Sequence, residues 1–160
     1  MHETNGSLSN GSHLHREAAE FLAEGFARND PVVVIATVPT RRAVEAELAR
    51  LGLQLRQMEC LGRARCVDSH EVLARILVNG VPDERAFATT MEQILAFADL
   101  RVTRRRIRAY HDLVDALRGE GDGNAAVLLD RLWTDLCQRN GDLLLAYTAA
   151  NLYREKDCAV

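Results

Sequence analysis

The sequence contains no long hydrophobic run. None of its apolar stretches approaches the roughly 20 residues that a helix needs to cross a bilayer. Residues 1–13, MHETNGSLSNGSH, also lack the apolar core of a signal peptide. We therefore expect a cytoplasmic protein that makes no contact with a membrane.

Paired cysteines and metal motifs are missing as well. The four cysteines include no CxxC pair, and the chain is longer than the small secreted proteins that disulfides hold together. His13 with His15 and Cys60 with Cys66 are the nearest pairs, but neither has a second pair at the spacing of a structural zinc site. We expect reduced thiols, no metal and no cofactor.

What the sequence does contain is typical of one globular domain. The chain has 160 residues, of which 48% are hydrophobic and 27% are charged, and both fractions are ordinary for a folded protein. The net charge of −3 gives no general attraction to nucleic acid. We expect a flexible segment over 1–13, a single domain over 14–150 and a C-terminal tail over 151–160.

The segment from Glu17 to Thr37 indicates the fold class. Apolar residues recur at helical spacing as far as Phe26, the sequence Asn-Asp-Pro ends the helix, and Val32–Ala36 is an apolar run without alternation. A strand without a polar side is buried on both faces, which is typical of a parallel sheet covered by helices. The pattern therefore predicts an α/β domain with a mostly parallel central sheet flanked by helices.

Three further strands are predicted, over 63–67, 105–110 and 143–147. The arginines of the first of these strands favour an edge position in the sheet. The three strands and Val32–Ala36 together give a sheet of four strands.

The remaining predicted elements are helices that begin and end at recognisable signals. Thr40 is the predicted N-cap of a helix over 41–52, which ends at Gly52 and turns Ala43, Leu48 and Leu51 toward the core. Asp68 or Ser69 caps a helix over 70–77 that closes at Asn79-Gly80. Pro82-Asp83 begins a helix over 84–99, and two more helices cover 113–121 and 125–140. Trp133 lies in the apolar face of the last helix and is expected in the core.

Several stretches, in this order, resemble known proteins. FLAEGFARNDPVVVIATVPTRRAVEAELARLG is similar to the segment that follows the phosphate-binding loop in RecA-like and KaiC-like ATPases. VLARILVNGVPDERAF, and RIRAYHDLVDALRGEGDGNAAVLLDRLWTDL followed by LLLAYTAANL, resemble the central and C-terminal parts of the MEDS family, the methanogen and methylotroph sensory domain. The resemblance extends over roughly residues 16–150.

This resemblance implies a RecA- and KaiC-like three-layer sandwich and a bacterial sensory or regulatory role. Such a domain acts through a small ligand, a protein partner or a homodimer rather than through catalysis. Within the family's motif, this chain has His111 where the family has glycine and Asp112 where the family has glutamate. The family's opening strand is not recognisable in SLSNGSHLHREA.

One alternative is a nucleotide-binding ATPase of the RecA type. Such an enzyme needs a glycine-rich loop, a lysine that reaches the β and γ phosphates, and a hydroxyl group on magnesium. Residues 6–13 have the glycine spacing, but Ser12 and His13 stand where the lysine and the hydroxyl residue belong. Asp68 ends a strand as a magnesium-holding aspartate would, yet it is equally an N-cap. We therefore expect no enzymatic activity.

A second alternative is a DNA-associated transcriptional regulator. It depends on the arginine cluster of 101–108, whose members are Arg101, Arg104, Arg105, Arg106 and Arg108. No aromatic interleaving, helix-turn-helix or zinc-finger pattern accompanies the cluster. A solvated sheet edge, or a contact with an anion or a protein partner, is the preferred interpretation, and nucleic acid is not an expected partner.

Polar side chains follow three of the predicted strands. Thr37 ends one strand, Tyr110, His111 and Asp112 end another, and Tyr147 ends a third. Because ligands of open α/β sheets bind beyond the carboxyl ends of the strands, these five residues form the candidate ligand-binding site. His111 would make binding sensitive to pH between about 6 and 7. The competing interpretation is that Asp112 only caps a helix and that Tyr110 belongs to the core.

Overall fold

The computed structural model describes residues 3–98, 106–140 and 144–148, and the side chains of 13–98 and 106–140. These parts of the chain form the strands β1 Val32–Ala36, β2 Ala64–Asp68, β3 Leu77–Val78, β4 Val81–Pro82, β5 Ile107–His111 and β6 Leu144–Thr148. Four of the strands make one sheet in the order β2-β1-β5-β6, and each neighbouring pair is parallel. β3 and β4 pair separately as an antiparallel hairpin.

The helices of the described residues lie between these strands. They are α1 Glu3–Ala27, α2 Val38–Arg50, α3 Leu55–Cys60, α4 Ser69–Ile76, α5 Glu84–Leu95, α6 Leu113–Gly119 and α7 Gly123–Arg139. None of the helices that the structure describes is both long enough and apolar enough to cross a membrane.

Strand β1 lies between β2 and β5 and separates two hydrophobic cores. Val33 and Ile35 point to the face covered by α4 to α7, whereas Val32, Val34 and Ala36 point to the face covered by α1 to α3. All five side chains are buried. Burial on both faces explains the absence of polar alternation in β1 and confirms the predicted parallel sheet flanked by helices.

The chain leaves β1 and returns beside it on the other side, which creates a topological switch point. It first passes through α2 and α3 to β2, and then crosses through α4, the hairpin and α5 to β5. The helices that follow β1 and β5 pack on opposite faces of the sheet, and the carboxyl ends of two such strands are where open α/β sheets bind their ligands. β2 lies at the edge of the sheet, as its arginines predicted.

The first helix begins earlier than the sequence predicted. A flexible segment was expected over 1–13, whereas α1 already begins at Glu3. Serine, asparagine and glycine are weak helix formers, but a helix that is already nucleated by packing from Ala18 onward gains one hydrogen bond for each residue it adds. A contact of 3.0 Å between His13 Nε2 and Glu17 Oε1 supports this part of the helix. Residues 3–13 are therefore helical where we expected a flexible segment, and the domain boundaries remain predictions.

The start of α2 also differs from the prediction. Thr37, not Thr40, is the N-cap residue, and Pro39 lies in the first turn. Proline has no amide hydrogen to donate and therefore fits the first turn of a helix, which places the helix start before it.

The end of α2 follows the prediction at Gly52. This glycine has a φ of 82°, and its amide donates to the carbonyl of Ala49 at 3.0 Å. The Leu53 amide donates to the carbonyl of Leu48, also at 3.0 Å, which completes a Schellman motif. Leu51, which was expected in the core, is 50% exposed because it lies in the cap itself.

The hairpin of β3 and β4 was not predicted, since Asn79-Gly80 was interpreted only as the end of a helix. Both residues have positive φ angles, 53° for Asn79 and 77° for Gly80. A two-residue type I′ turn requires this conformation at both positions. Asn-Gly between apolar residues is a strong local signal for a hairpin, so the sequence contained the information.

Arg108 connects α1 to the sheet. It is the second residue of β5 and is buried beneath the helix. Its Nε lies 3.3 Å from Asp30 Oδ2, and its Nη1 lies 3.4 Å from Glu24 Oε2. Nη1 also donates to the carbonyl oxygen of Phe21 at 3.0 Å, and the guanidinium lies 5.0 Å from the centre of the Phe21 ring. This buried cation is therefore compensated by two carboxylates and a carbonyl.

Gly25 gives Arg108 the room to pass under α1. A Cβ atom at Gly25 would lie 2.6 Å from Arg108 Cδ, which is well inside van der Waals contact. We predict that Gly25→Ala destabilises the protein by about 1–3 kcal/mol, as overpacking does in a well-packed interior. Urea unfolding measures this change.

The matched control is Gly119→Ala near the end of α6, where an added Cβ would meet nothing within 4 Å. This variant should be neutral or slightly stabilising, since alanine has the higher helix propensity. If Gly25→Ala also stabilised the protein, the close packing of Arg108 against α1 would be contradicted.

Candidate functional site

The carboxyl ends of three strands are joined by one carboxylate, that of Asp112. Its Oδ2 accepts hydrogen bonds from the Thr37 amide at 2.9 Å and from the Thr37 hydroxyl at 3.0 Å. Its Oδ1 accepts a hydrogen bond from the Ser69 hydroxyl. We call Asp112, Thr37 and Ser69 the Asp112 node. It lies at the topological switch point that β1 and β5 create.

Each residue of the Asp112 node occupies the junction between a strand and a helix. Thr37 follows β1 and is the N-cap of α2, while Ser69 follows β2 and is the first residue of α4. Asp112 follows β5 and occupies the N-cap position of α6, but its side chain makes no capping bond to that helix. The carboxylate therefore reaches across to two other junctions instead of capping its own helix.

Burial makes these hydrogen bonds important. Asp112 is 5% exposed and Ser69 is fully buried. A carboxylate that loses water must accept hydrogen bonds from the protein, and each bond to a charged group contributes on the order of 1.5–3 kcal/mol. The interpretation of Asp112 as only a helix cap is therefore wrong, because its side chain holds two other segments.

A second carboxylate lies near the Asp112 node. Burial raises the pKa of Asp115 above its ordinary value; the positive charge of Arg118 opposes this shift, and the negative charge of Asp112 adds to it. The negative charge at this position is thus that of Asp112, which favours a ligand that brings hydrogen-bond donors or positive charge.

Tyr110 does not line the candidate ligand site. It is fully buried and packs in the core beneath α1 and α2, together with Leu22 and Val34. The interpretation of Tyr110 as a core residue is confirmed, and its expected role as a wall of the ligand site is wrong. The reason is that successive residues of a strand point to opposite faces, and both faces of this strand are covered.

His111 points into the other core. It is fully buried, and its ring stacks on that of Trp133, with 4.1 Å between centroids and 6° between planes. Trp133 also meets the Phe87 ring edge-on at 5.6 Å, which confirms the prediction that Trp133 is a core residue. Burial lowers the pKa of His111 to about 3. The expectation that His111 changes charge between pH 6 and 7 is therefore wrong.

Tyr147 is the last of the five predicted site residues. It lies in β6, where its backbone is in register with Tyr110 of β5. Its side chain is outside the described part of the structure. Of the five residues, the structure thus brings the side chains of Thr37 and Asp112 into contact and places those of Tyr110 and His111 in the cores.

Ser69 is the residue of this site that sequence analysis missed. The sequence offered it as one of two caps for α4, and Asp68 is the residue that fills this role: its Oδ1 accepts a hydrogen bond from the His70 amide at 2.7 Å. Ser69 is therefore free of the capping role. Its position directly after a strand end was the signal that could have placed it beside Asp112.

The other candidate chemistries find little support in the described residues. No group of three histidine, cysteine, aspartate or glutamate side chains there is arranged to hold a metal ion. Cys66 packs against the core, and burial raises the pKa of its thiol, with the negative charge of Glu59 adding to the shift. A raised pKa makes a thiol less reactive near neutral pH.

The arginine cluster divides between two environments. Arg108 is buried and ion-paired, so the prediction of a solvated edge is wrong for this residue. Arg106 is exposed. Arg101, Arg104 and Arg105 lie outside the described residues.

Comparison with known proteins gives one match. The family model described as MEDS, the MEthanogen/methylotroph, DcmR Sensory domain, matches residues 8–155. The matched range includes all three residues of the Asp112 node. A search of curated proteins and a search of solved structures each gave no match.

The buried state of His111 predicts how stability depends on pH. In the unfolded chain the imidazole binds a proton below about pH 6.5, whereas in the folded protein it stays neutral down to about pH 3. Since the unfolded state binds more protons between these values, the free energy of unfolding should fall as the pH is lowered through this window. From pH 7.0 to 5.5 the contribution of His111 is a loss of about 1.3 kcal/mol.

Urea unfolding of the protein and of His111→Gln at both pH values isolates this contribution. The variant should lose about 1.3 kcal/mol less than the unmodified protein. The matched control is His70→Gln at an exposed position, which should keep the original pH dependence. Parallel pH profiles for the unmodified protein and His111→Gln would contradict a buried, neutral His111.

Proposed function

This chain belongs to the MEDS family of sensory domains, and we propose that it is a non-catalytic regulatory domain that receives its signal at the Asp112 node. The signal is the binding of a small polar ligand, and the output is contact with a protein partner or a second copy of the chain. The relationship to RecA-like and KaiC-like ATPases, the bacterial origin and the cytoplasmic location stay predictions.

The observation that carries this proposal is the set of hydrogen bonds on the Asp112 carboxylate. They connect the N-terminal ends of three helices, α2, α4 and α6, at the place where open α/β sheets bind their ligands. A ligand that donates hydrogen bonds to Asp112 would replace Thr37 or Ser69. The N-termini of these helices would then shift relative to one another, and the change would reach both faces of the sheet.

This mechanism explains how a buried site can report binding. The α2 helix covers one core and α4 and α6 cover the other. Packed cores pass small displacements on because they deform little. A ligand that shifts the N-termini of α2, α4 and α6 would therefore also alter the surfaces that these helices present to a partner.

The ATPase alternative receives less support. Residues 6–13, which have the glycine spacing of a phosphate-binding loop, lie within α1. Backbone amides inside a helix donate to carbonyls of the preceding turn and are not free to hold phosphate. The lysine that such a loop needs is also missing from this segment.

The DNA-binding alternative depends on the arginine cluster, and one member of the cluster is not available to bind DNA. Arg108 is held by Asp30 and Glu24 beneath α1, so its charge is already compensated. The arginine cluster therefore brings fewer free cations to a phosphate backbone than its sequence suggests.

We predict that the purified protein shows no magnesium-dependent ATP hydrolysis. The expected rate of phosphate release equals that of a heat-inactivated sample, because neither the lysine nor the loop for phosphoryl transfer is present in residues 6–13. Turnover clearly above the inactivated sample would contradict the non-catalytic role.

We further predict that a physiological ligand binds at the Asp112 node. ¹H–¹⁵N spectra of the labelled protein with a panel of small polar metabolites should show a ligand whose binding shifts the amides of Thr37, Ser69 and Leu113 together. Asp112→Asn should weaken that ligand roughly tenfold, since it removes the charge that the ligand's donors meet.

The matched control is Asp122→Asn. Asp122 caps α7 by accepting a hydrogen bond from the Ala125 amide at 3.1 Å, and asparagine is an equally good cap. Its ligand affinity should be unchanged. A ligand that shifts only amides away from the three junctions, or that binds Asp112→Asn as tightly as the unmodified protein, would contradict the placement of the site.

A further inference from the structure

A polar groove lies between α4 and α5, separate from the Asp112 node. Its volume is about 460 Å³, which is within the range of small-molecule sites. Arg75 of α4 forms one wall, and residues of α5 and the turn before it form the other, among them Asp83, Arg85, Thr89, Thr90 and Gln93.

The charged side chains of the groove are mostly positive. Arg75 and Arg85 are both exposed, and neither takes part in an ion pair within the described residues. The carboxylate of Asp83 is the N-cap of α5 and accepts a hydrogen bond from the Ala86 amide at 2.8 Å. Its charge therefore faces the positive end of the helix, while the two guanidinium groups remain available.

Thr90 provides a second, independent observation. It is 4% exposed and lines the groove. A threonine within a helix commonly donates to the carbonyl four residues before it, as Thr134 does to Asp130 at 2.9 Å. None of the hydrogen bonds among the described residues involves the Thr90 hydroxyl. The side chain is thus nearly buried, while its hydroxyl has no protein partner and is open to the groove, so a ligand atom in the groove can complete its hydrogen bonding.

We infer that this groove binds a small molecule through an oxyanion, either a carboxylate or a phosphate. Guanidinium groups pair with these anions through parallel N–H donors, and the Thr90 hydroxyl donates to a further oxygen. Lysine is absent from the lining, and so are aromatic side chains on which a nucleobase could stack. The anion is thus the part of the ligand that the groove recognises. This site does not depend on the function proposed for the Asp112 node.

Chemical-shift titrations of the full chain test this inference, with inorganic phosphate and malonate as the two probes and ionic strength held constant with sodium chloride. At least one probe should give saturable shifts of the amides of Ala86, Thr89, Thr90 and Gln93. The probe that saturates at the lower concentration identifies the oxyanion. Arg75→Gln and Arg85→Gln should each weaken its binding roughly tenfold.

The matched control is Arg56→Gln, an exposed arginine of α3 on the other face of the sheet, which should leave binding unchanged. Thr90→Val should weaken binding severalfold without lowering the melting temperature, because the change keeps the shape of the side chain and removes only the hydroxyl. Shifts that do not saturate with either probe would overturn the inference. So would an equal loss of binding in all three arginine variants, or saturable shifts confined to Thr37 and Ser69.

Discussion

The Asp112 carboxylate accepts three hydrogen bonds, and the arrangement of the chain at the carboxyl edge of this sheet depends on them. Parallel strands place their ends at the same edge, but nothing in strand pairing fixes the segments that follow. Here one buried carboxylate holds the segments after β1 and β2 against the start of α6. A buried charge must remain hydrogen-bonded. If one of the three junctions moves away, the Asp112 carboxylate must therefore become exposed to water or find a new hydrogen-bond partner.

Arg108 connects separate segments in a comparable way at the opposite end of β5. It lies near the start of β5, and the strand ends just before Asp112. Its ion pairs with Asp30 and Glu24 hold α1 on the sheet. β5 thus carries a buried cation near its first residue and leads to a buried anion after its last. The strand thus has one end held by the ion pairs of Arg108, and its other end leads to Asp112, where we propose that a ligand binds.

The features that could be predicted from the sequence are those that depend on residues close to one another along the chain. The buried strand Val32–Ala36, the stop at Gly52 and the N-cap Asp68 all follow from local patterns. The contacts of Asp112 could not be predicted, because Thr37 is 75 positions and Ser69 is 43 positions away in the sequence. The misplacement of Tyr110 and His111 has a simpler cause. When a strand is covered on both faces, its last side chains enter the two cores, and only the residue after the strand lies at the carboxyl edge of the sheet.

The most direct test of the central claim is amide hydrogen exchange of Asp112→Ala compared with the unmodified protein. If the carboxylate holds all three junctions, exchange should become about tenfold faster or more in residues 37–41, 69–73 and 112–117 together, while α5 keeps its protection. Faster exchange in 112–117 alone would contradict the claim and reduce Asp112 to the start of one helix. If exchange in α5 became faster by the same factor, the substitution would have destabilised the whole protein, and the result would not support a specific connection between the three junctions.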